Sequence, residues 1–221
     1  MNIQELKQAL NAGAYDGTFR KLYPGRWEGQ RERYLHIADA FAEHFSADHA
    51  VELYSAPGRS EIGGNHTDHQ RGRVLAAAVT LDAVAVAARN DRNVIRICSE
   101  GHGEERINLE KLEIVPEEKG TTAALIRGIA ARFYELDLRY GGFDAYVSSD
   151  VLPGSGLSSS AAYEVLVGTI LSGLYNGGRV TPVLIAKVGQ FAENTYFGKP
   201  CGLMDQCASA VGDFCLMDFA D

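Results

Sequence analysis

The amino-acid sequence predicts an α+β domain in which helices pack on a mixed or antiparallel sheet. Some segments repeat apolar residues every three or four positions, as helices do, and others alternate or are continuously apolar, as strands are. Helix-like and strand-like segments interleave without a regular βαβ repeat, which disfavours a parallel α/β architecture. The chain has 221 residues, of which 46% are hydrophobic, enough for one large domain or two small ones.

The first half of the chain is predicted to begin with helices and to continue with strands. Residues 1–50 are predicted to be helical, because in RERYLHIADAFAEHFS the apolar side chains fall on one helix face. Residues 51–57, VELYSAP, are predicted to form a short strand that ends at the proline. The apolar stretches 74–90 and 94–100 are separated by turn residues and are predicted to be a buried antiparallel pair, although the alanine content of the first leaves a buried helix open. One or two edge strands are expected in the polar segment that follows.

The second half of the chain is predicted to contain four helices and two strands. A helix is expected from about residue 121 to about residue 138, and a half-buried strand at residues 143–151. A glycine loop then leads into a helix that ends at Gly177. Pro182 follows a threonine and begins the next helix. The last stretch, GKPCGLMDQCASAVGDFCLMDFAD, is predicted to be a loop, a short helix and a strand.

Composition excludes several classes of protein. The formal net charge of −8 argues against nucleic acid as a partner, because phosphate backbones are bound by concentrated Lys and Arg. No run of about 18 apolar residues is present, so no membrane partner is expected, and the N-terminal stretch lacks the apolar core of a secretion signal. The four cysteines have no C-x-x-C spacing, so reduced thiols in the cytoplasm are predicted rather than a zinc site.

A glycine- and serine-rich stretch, LPGSGLSSSAA, is the strongest mechanistic signal. Its glycines let the backbone approach a ligand closely, and its hydroxyls lie where a helix begins, so free N–H groups and the helix dipole can face an anion. Ser160 can also offer a hydroxyl to a magnesium ion that bridges phosphates. The stretch matches neither a Walker loop nor a Rossmann fingerprint. A plain glycine turn with serine caps is the alternative interpretation.

Two carboxylates in the last third of the chain are candidates for phosphoryl-transfer chemistry. Asp205, which the sequence places on a loop, is a candidate base for a hydroxyl proton. Glu193, near the end of a helix, is a candidate magnesium ligand. The alternative for each is a solvated surface carboxylate, because charged side chains are mostly exposed.

The stretch PGRSEIGGNHTDH, residues 57–69, gathers many hydrogen-bonding groups on a glycine-rich backbone. Arg59 suits a phosphate or a carboxylate, and a surface pair with Glu61 is its alternative. His66 and His69 are three apart, but no third ligand at a recognisable spacing favours a metal. The polar groups of this segment are what recognition of several hydroxyls on a small ligand requires.

Three ordered motifs together resemble a known family. P-G-R-x-x-x-x-G-x-H-T-D, P-G-S-G-L-S-S-S-A-A and A-E-N-x-x-F-G-x-P-C-G-L-M-D-Q are similar, in order and spacing, to the signatures of the galactokinases, which are GHMP small-molecule kinases. The resemblance spans residues 52–219. It implies that residues 51–221 are the GHMP kinase N-terminal domain, with a ribosomal-protein-like mixed sheet, and that residues 1–50 are a helical segment of the same lobe. It also implies that a C-terminal lobe is absent from this chain.

The resemblance implies an activity and a role for each site residue. The activity is ATP- and Mg²⁺-dependent phosphorylation of galactose at the C1 hydroxyl, as in galactose metabolism. Asp205 would be the base or proton acceptor, and Arg59 would stabilise the transferring phosphoryl group. The sugar would be held by Asn65, His66, Thr67 and Asp68. The ATP phosphates would be held by Gly154, Ser155, Gly156, Leu157, Ser158, Ser159 and Ser160. The magnesium ligands would be Ser160 and Glu193.

Two departures from the family pattern leave alternatives open. Galactokinases usually carry G-E-H-T-D-Y where this chain has an amide at Asn65, so a kinase for another aldose, such as N-acetylgalactosamine, is the first alternative. A non-catalytic sugar and ATP sensor in transcriptional regulation is the second, and a ligand-free assembly domain is the third.

The other departure is length, because a third glycine-rich motif and a sugar-contacting tyrosine belong to the C-terminal lobe. Little or no turnover is therefore expected of this chain alone. The oligomeric state and the preferred anomer stay open.

Overall fold

The structure of the protein, a computed structural model, describes residues 1–45 and 49–220. The predicted N-terminal helical segment is present as α1 (Ile3–Asn11), α2 (Asp16–Leu22) and α3 (Gln30–His44). Helix α1 begins with a capping box: the Asn2 side chain accepts from the Glu5 N–H at 2.9 Å, and the Glu5 carboxylate accepts from the Asn2 N–H at 2.9 Å. The part of that predicted segment at residues 46–48 lies outside the described residues.

Six strands of the described residues form one mixed sheet, as predicted. They are β1 (Val51–Gly63), β2 (Arg73–Arg89), β3 (Val94–Ser99), β4 (Glu104–Asn108), β5 (Phe143–Ser149) and β6 (Phe214–Asp218). The order is β1-β2-β5-β3-β4, and β6 pairs with the beginning of β2. Every pairing is antiparallel except that of β3 with β5, which is parallel.

Helices cover both faces of this sheet. The remaining helices are α4 (Thr122–Glu135), α5 (Ser159–Asn176), α6 (Pro182–Phe191) and α7 (Met204–Val211); a π-helical segment, Ala192–Phe197, follows α6, and short 3₁₀ segments lie at Thr67–Gln70 and Pro116–Glu118. Ala83, Ala85 and Ala87 face the core with α4–α6, whereas Val84 and Val86 face α1–α3. This explains why the sequence of β2 is apolar without alternation. Within the described ranges, no helix is long and apolar enough to cross a membrane.

The predicted pairing of β2 with β3 is wrong. Strand β5 lies between them, with Ala85 opposite Val147 on one side and Ile97 opposite Ala145 on the other. Strand β5 is also buried on both faces for most of its length, where a half-buried strand was expected. Because β2 and β3 are adjacent along the chain, a hairpin was expected. The strand between them, β5, instead comes after α4 in the sequence.

Strand β1 is longer than predicted and runs through the proline. The register shifts between Pro57, opposite Asp82, and Arg59, opposite Ala78, so the proline sits at a bulge on the edge of the sheet. Both circumstances tolerate a residue without an N–H donor. Arg59 consequently projects from a strand rather than from a glycine loop.

A buried polar cluster fastens α3 to the sheet beside this bulge. The Asp82 carboxylate accepts from Arg33 Nη1 at 2.6 Å and from the Tyr23 hydroxyl at 2.6 Å, while Arg33 Nη2 donates to the Asp82 carbonyl at 2.9 Å. The Asp82 carbonyl also accepts from the N–H of Asp150, where β5 leads into the glycine loop. The N-terminal helices therefore support the strand ends that carry the candidate site.

Replacing Asp82 by alanine is expected to lower the free energy of unfolding by about 2–4 kcal/mol, because the largely buried Arg33 guanidinium loses its nearest carboxylate and keeps only Asp150, at 3.6 Å. Urea unfolding measures this change. The matched control is Asp39→Ala, which removes the exposed partner of Lys7 and is expected to cost less than about 1 kcal/mol. Equal losses in the two variants would contradict a structural role for the buried cluster.

Candidate active site

The glycine loop joins β5 to α5 with left-handed backbone at three positions. Gly154 and Gly156 have φ of 77° and 79°, and Ser158, the residue before the first turn of α5, has φ of 58°. A non-glycine residue held in this region marks a position that its surroundings determine. The Ser158 side chain does not cap α5, so the alternative of a plain turn with serine caps has no support there.

The three sequence motifs meet at Asp205. Arg59 Nε donates to Asp205 Oδ1 at 2.7 Å and Arg59 Nη2 donates to Oδ2 at 2.6 Å, a bidentate pair. The Ser158 hydroxyl donates to Asp205 Oδ2, and Arg59 Nη1 donates to the Gly156 carbonyl at 2.8 Å. Asp205 lies in the first turn of α7, not on a loop as predicted, and Arg59 pairs with Asp205 rather than with Glu61.

These contacts keep Asp205 ionised. Burial raises the pKa of Asp205, but the hydrogen bonds from Arg59 and Ser158 and the positive charge of Arg59 outweigh it, so the pKa lies below its ordinary value of 3.8. A carboxylate in this state is a good hydrogen-bond acceptor and a weak base. It can orient a hydroxyl more readily than it can remove its proton beforehand.

The lowered pKa predicts an acid-dependent contribution to stability. A group with a depressed folded-state pKa stabilises the fold above its unfolded pKa, and this contribution disappears as the pH falls through the folded value. The difference in free energy of unfolding between the parent and Asp205→Asn is therefore expected to shrink between about pH 5 and about pH 2. Urea unfolding across this range measures it. A difference that is constant with pH would contradict the assignment.

Gly58 allows β1 to pack directly on the glycine loop. A Cβ atom there would lie 3.0 Å from the carbonyl oxygen of Leu157 and 3.2 Å from the methyl groups of Val151. The N–H of Arg59 donates to the same Leu157 carbonyl at 3.0 Å. The glycine of P-G-R is thus required by a close backbone approach, which aims Arg59 at the loop.

The segment after β1 is a tight turn. Asn65 and His66 have φ of 54° and 51°, two consecutive left-handed residues, and both are exposed. Glu61 holds the turn, because its carboxylate accepts from the His66 N–H at 3.0 Å and lies 3.0 Å from His66 Nε2. The Thr67 hydroxyl donates to the Gly64 carbonyl at 2.8 Å. Of these predicted sugar-binding residues, Thr67 already uses its hydroxyl inside the turn.

Asp68 connects the turn to the helix of Asp205. Its largely buried carboxylate accepts from the N–H of Met204, the first residue of α7, at 3.1 Å. Gly202 makes room for it, since a Cβ atom there would lie 1.7 Å from Asp68 Oδ2. A carboxylate at a helix N-terminus is electrostatically favourable. The glycine of C-G-L-M-D-Q therefore leaves space for the Asp68 carboxylate. The separate motifs did not indicate this contact.

Ser160 and Glu193, the predicted magnesium ligands, lie side by side. Ser160 Oγ is 3.4 Å from Glu193 Oε1, which is also 3.3 Å from Lys199 Nζ. A hydroxyl and a carboxylate are the oxygen ligands that Mg²⁺ accepts, so the pair fits the ion. Among the described residues, no cluster of three or more His, Cys, Asp or Glu side chains could hold a metal, which leaves His66 and His69 without a third ligand of these types.

Sequence reasoning missed an adjoining cavity of about 670 Å³. It extends from Ser159 and Ser160 and is lined by apolar groups of the sheet and helices, among them Leu125, Val147, Val151, Tyr163 and Phe197. These residues come from separate segments and carry no motif. Only Tyr163, one turn after Ser159 on α5, could have been found from helical spacing.

Two buried polar residues beside Glu193 were also missed, Glu164 and Gln206. Burial and the nearby charge of Glu193 raise the pKa of Glu164 well above its ordinary value. Both residues resemble ordinary helix positions in the sequence, and only the packing of α5 on α7 brings them together.

Comparisons with known proteins agree with this fold. The model of the GHMP kinases N terminal domain matches residues 124–213, and the model of the galactokinase galactose-binding signature matches residues 39–89. The fold and the three joined motifs are thus similar to those of the GHMP kinases over the matched residues. Among the GHMP kinases, the chain resembles the galactokinases, as the motifs predicted.

Solved structures show the same relationship. Galactokinase from Lactococcus lactis, complexed with galactose, is 28% identical, with a TM-score of 0.76 over 82% of this chain and 48% of the other. Mevalonate kinase from Methanococcus jannaschii is 17% identical, with a TM-score of 0.63 over 80% of this chain and 55% of the other. Phosphomevalonate kinase from Streptococcus pneumoniae, in complex with phosphomevalonate and AMPPNP, is 19% identical, with a TM-score of 0.55 over 75% of this chain and 49% of the other. The last two likenesses concern the fold alone. The chain spans about half the length of these relatives.

Proposed function

We propose that this chain is the N-terminal, ATP- and sugar-binding lobe of a kinase that phosphorylates galactose at the C1 hydroxyl. The observation that carries the proposal is the bidentate pair of Arg59 with Asp205, joined by the Ser158 hydroxyl. It connects the segment of the sugar signature, the glycine loop and the helix of the candidate base in one place. The galactose complex of the Lactococcus lactis galactokinase, at 28% identity, supports galactose as the substrate.

In this proposal the nucleotide occupies the glycine loop and the adjoining cavity. The phosphates lie on residues 154–160, where left-handed glycines and the N-terminal end of α5 present N–H groups to an anion. The cavity of about 670 Å³ beside Ser159 and Ser160 receives the nucleoside. Ser160 and Glu193 hold Mg²⁺, which supplies neutralisation of phosphate charge. The AMPPNP bound by the phosphomevalonate kinase, a protein of the same fold, supports a nucleotide triphosphate.

Arg59 and Asp205 carry the transfer in this proposal. A bond forms between the sugar C1 oxygen and the γ-phosphorus while the bond from that phosphorus to the ADP oxygen breaks, and the hydroxyl proton passes to Asp205 and then to solvent. Arg59 balances charge on the transferring group. Because Asp205 is a weak base, it orients the hydroxyl and receives the proton late, which a loose transition state permits.

Asp68 is the best-supported sugar contact among the four predicted residues, since its carboxylate is fixed against α7 one residue before Asp205. Asn65 and His66 are exposed on the turn and complete the set with Thr67. The amide of Asn65, in place of the carboxylate usual in galactokinases, favours a second candidate, a kinase for N-acetylgalactosamine or another aldose. The sensor alternative has no comparable observation in its favour, because the residues needed for transfer are joined.

We also propose that a C-terminal lobe completes the site. Phe214 and Leu216 on β6 are 75% and 72% exposed, whereas the alternate residues Cys215 and Met217 pack with α7. The relatives that match this chain are about twice its length, so the additional polypeptide is the proposed cover for these side chains. Little turnover is expected without that lobe, and a cytoplasmic location stays a prediction.

Calorimetric titration of galactose, N-acetylgalactosamine and glucose tests the substrate, with the C-terminal lobe present and a non-hydrolysable ATP analogue and Mg²⁺ added. Galactose is expected to bind at least about tenfold more tightly than glucose, because buried polar groups left unpaired by the wrong hydroxyl cost over 1 kcal/mol. Selective binding of N-acetylgalactosamine would replace the substrate and keep the mechanism. No binding of any sugar would overturn the proposal.

A further inference from the structure

Gln206 bridges two buried carboxyl groups behind the candidate metal site. Its side-chain Nε2 donates to Glu193 Oε2 at 3.0 Å and to Glu164 Oε2 at 3.0 Å. All three residues are buried, and they come from α7, the π-helical segment and α5. One amide thus satisfies one oxygen of each carboxyl group with its two N–H donors.

This contact gives the two oxygens of the Glu193 carboxylate different partners. Oε2 is occupied by Gln206, whereas Oε1 faces Ser160 Oγ at 3.4 Å. Rotation of the carboxylate away from Ser160 would break the bond to Gln206 and expose Oε2 to Glu164, a second acidic group. The amide therefore selects which oxygen is turned toward the glycine loop.

Close packing fixes the amide itself. A Cβ atom on Gly189 would lie 3.1 Å from Glu164 Oε2 and 3.3 Å from the Gln206 Cγ atom. The backbone of α6 therefore packs closely against both side chains. Asp205 precedes Gln206 on α7 and contacts Arg59 and Ser158 instead. Neighbouring residues of one helical turn thus contact the two halves of the candidate site.

We propose that Gln206 is a positioning residue, which orients Glu193 for the metal ion of the bound nucleotide. Glu164 supports this role because it accepts a hydrogen bond from the second N–H of the Gln206 amide. The inference rests on the proposed function, because it takes Glu193 as a magnesium ligand. It goes beyond that function in assigning the orientation of the ligand to a residue that touches neither substrate nor metal.

The test compares Gln206→Met with the parent, with the C-terminal lobe present. Binding of the ATP analogue is measured by calorimetry at increasing Mg²⁺ concentration, and galactose binding is measured separately. Loss of an outer partner of a metal ligand typically weakens the metal by about 10–100-fold, so the Mg²⁺ concentration needed for half-maximal enhancement is expected to rise by that factor. The affinity for galactose is expected to change less than about threefold.

Gln190→Met is the matched control. Gln190 lies on α6 and its amide donates to the Cys201 carbonyl at 3.4 Å, so the same substitution is made nearby without touching Glu193. Its Mg²⁺ dependence is expected to equal that of the parent. If Gln206→Met fails to fold, Gln206→Asn keeps an amide but draws its N–H donors back by one carbon–carbon bond from Glu193, and is expected to show the same selective loss.

The outcomes separate the inference from the function on which it rests. Unchanged Mg²⁺ dependence in a folded Gln206 variant, or an equal loss of galactose affinity, would overturn the positioning role while the kinase proposal stands. Absence of Mg²⁺-enhanced nucleotide binding in the parent would overturn the kinase proposal and the inference with it. A selective loss of Mg²⁺ response in the Gln206 variant alone would support both.

Discussion

Replacing Asp205 by asparagine is expected to lower the turnover number for sugar phosphorylation by about 10²- to 10⁴-fold, with the C-terminal lobe present. The substitution keeps the shape of the side chain but removes its charge, half of the bidentate contact with Arg59, and the acceptor for the hydroxyl proton. Nucleotide affinity is expected to stay within a few fold, because the glycine loop and the adjoining cavity are unchanged. Steady-state kinetics with galactose and ATP measure both quantities.

Asp218→Asn is the matched control for this substitution. Asp218 accepts from Arg73 Nε at 2.6 Å on β6, so it is also an aspartate paired with an arginine, but it is exposed and lies away from Arg59 and Ser158. Its turnover is expected to equal that of the parent. Turnover of Asp205→Asn within tenfold of the parent would show that another group carries the transfer.

Replacing Gly202 by alanine is expected to have the second-largest effect, a loss of sugar binding of at least about tenfold with a cost of about 1–3 kcal/mol in the free energy of unfolding. The added methyl group would lie 1.7 Å from Asp68 Oδ2, so the Asp68 carboxylate must leave its place at the start of α7. Calorimetric binding of galactose and urea unfolding measure the two effects.

Gly17→Ala serves as the control for Gly202→Ala. Gly17 lies in α2, has no heavy atom within 4 Å of its added Cβ and has ordinary helical backbone. Alanine there is expected to raise helix stability slightly and to leave sugar binding unchanged. Retention of full sugar affinity by Gly202→Ala would mean that the position of Asp68 is immaterial to the sugar.

The fold was predictable where local patterns decide it. Helix α5 ends at Asn176, just before the predicted Gly177, and α6 begins at the predicted Pro182, because these end signals act locally. The order of the strands was not predictable in this way. Strand β5 pairs with β2 and β3, and α4 and α5 pack in one core against the sheet, which are contacts between distant segments that no short stretch of sequence encodes.

The candidate site was predictable in its composition but not in its connections. The motifs identified Arg59, Asp205 and Glu193, because these residue types are needed for phosphoryl transfer and occur at a family spacing. They did not indicate that Gly202 makes room for Asp68, or that Gln206 separates two carboxyl groups, since both depend on packing between distant segments.

Phosphorus NMR of the reaction products shows whether the protein transfers phosphate from ATP to the C1 hydroxyl of galactose and whether Asp205 is needed. The protein, with its C-terminal lobe, is incubated with ATP, Mg²⁺ and galactose, and with the Asp205→Asn variant in parallel. A sugar 1-phosphate resonance is expected to grow together with ADP in the parent and to be nearly absent in the variant. Phosphorylation at another hydroxyl, or tight binding of ATP and galactose without any phosphate transfer, would contradict the proposed function.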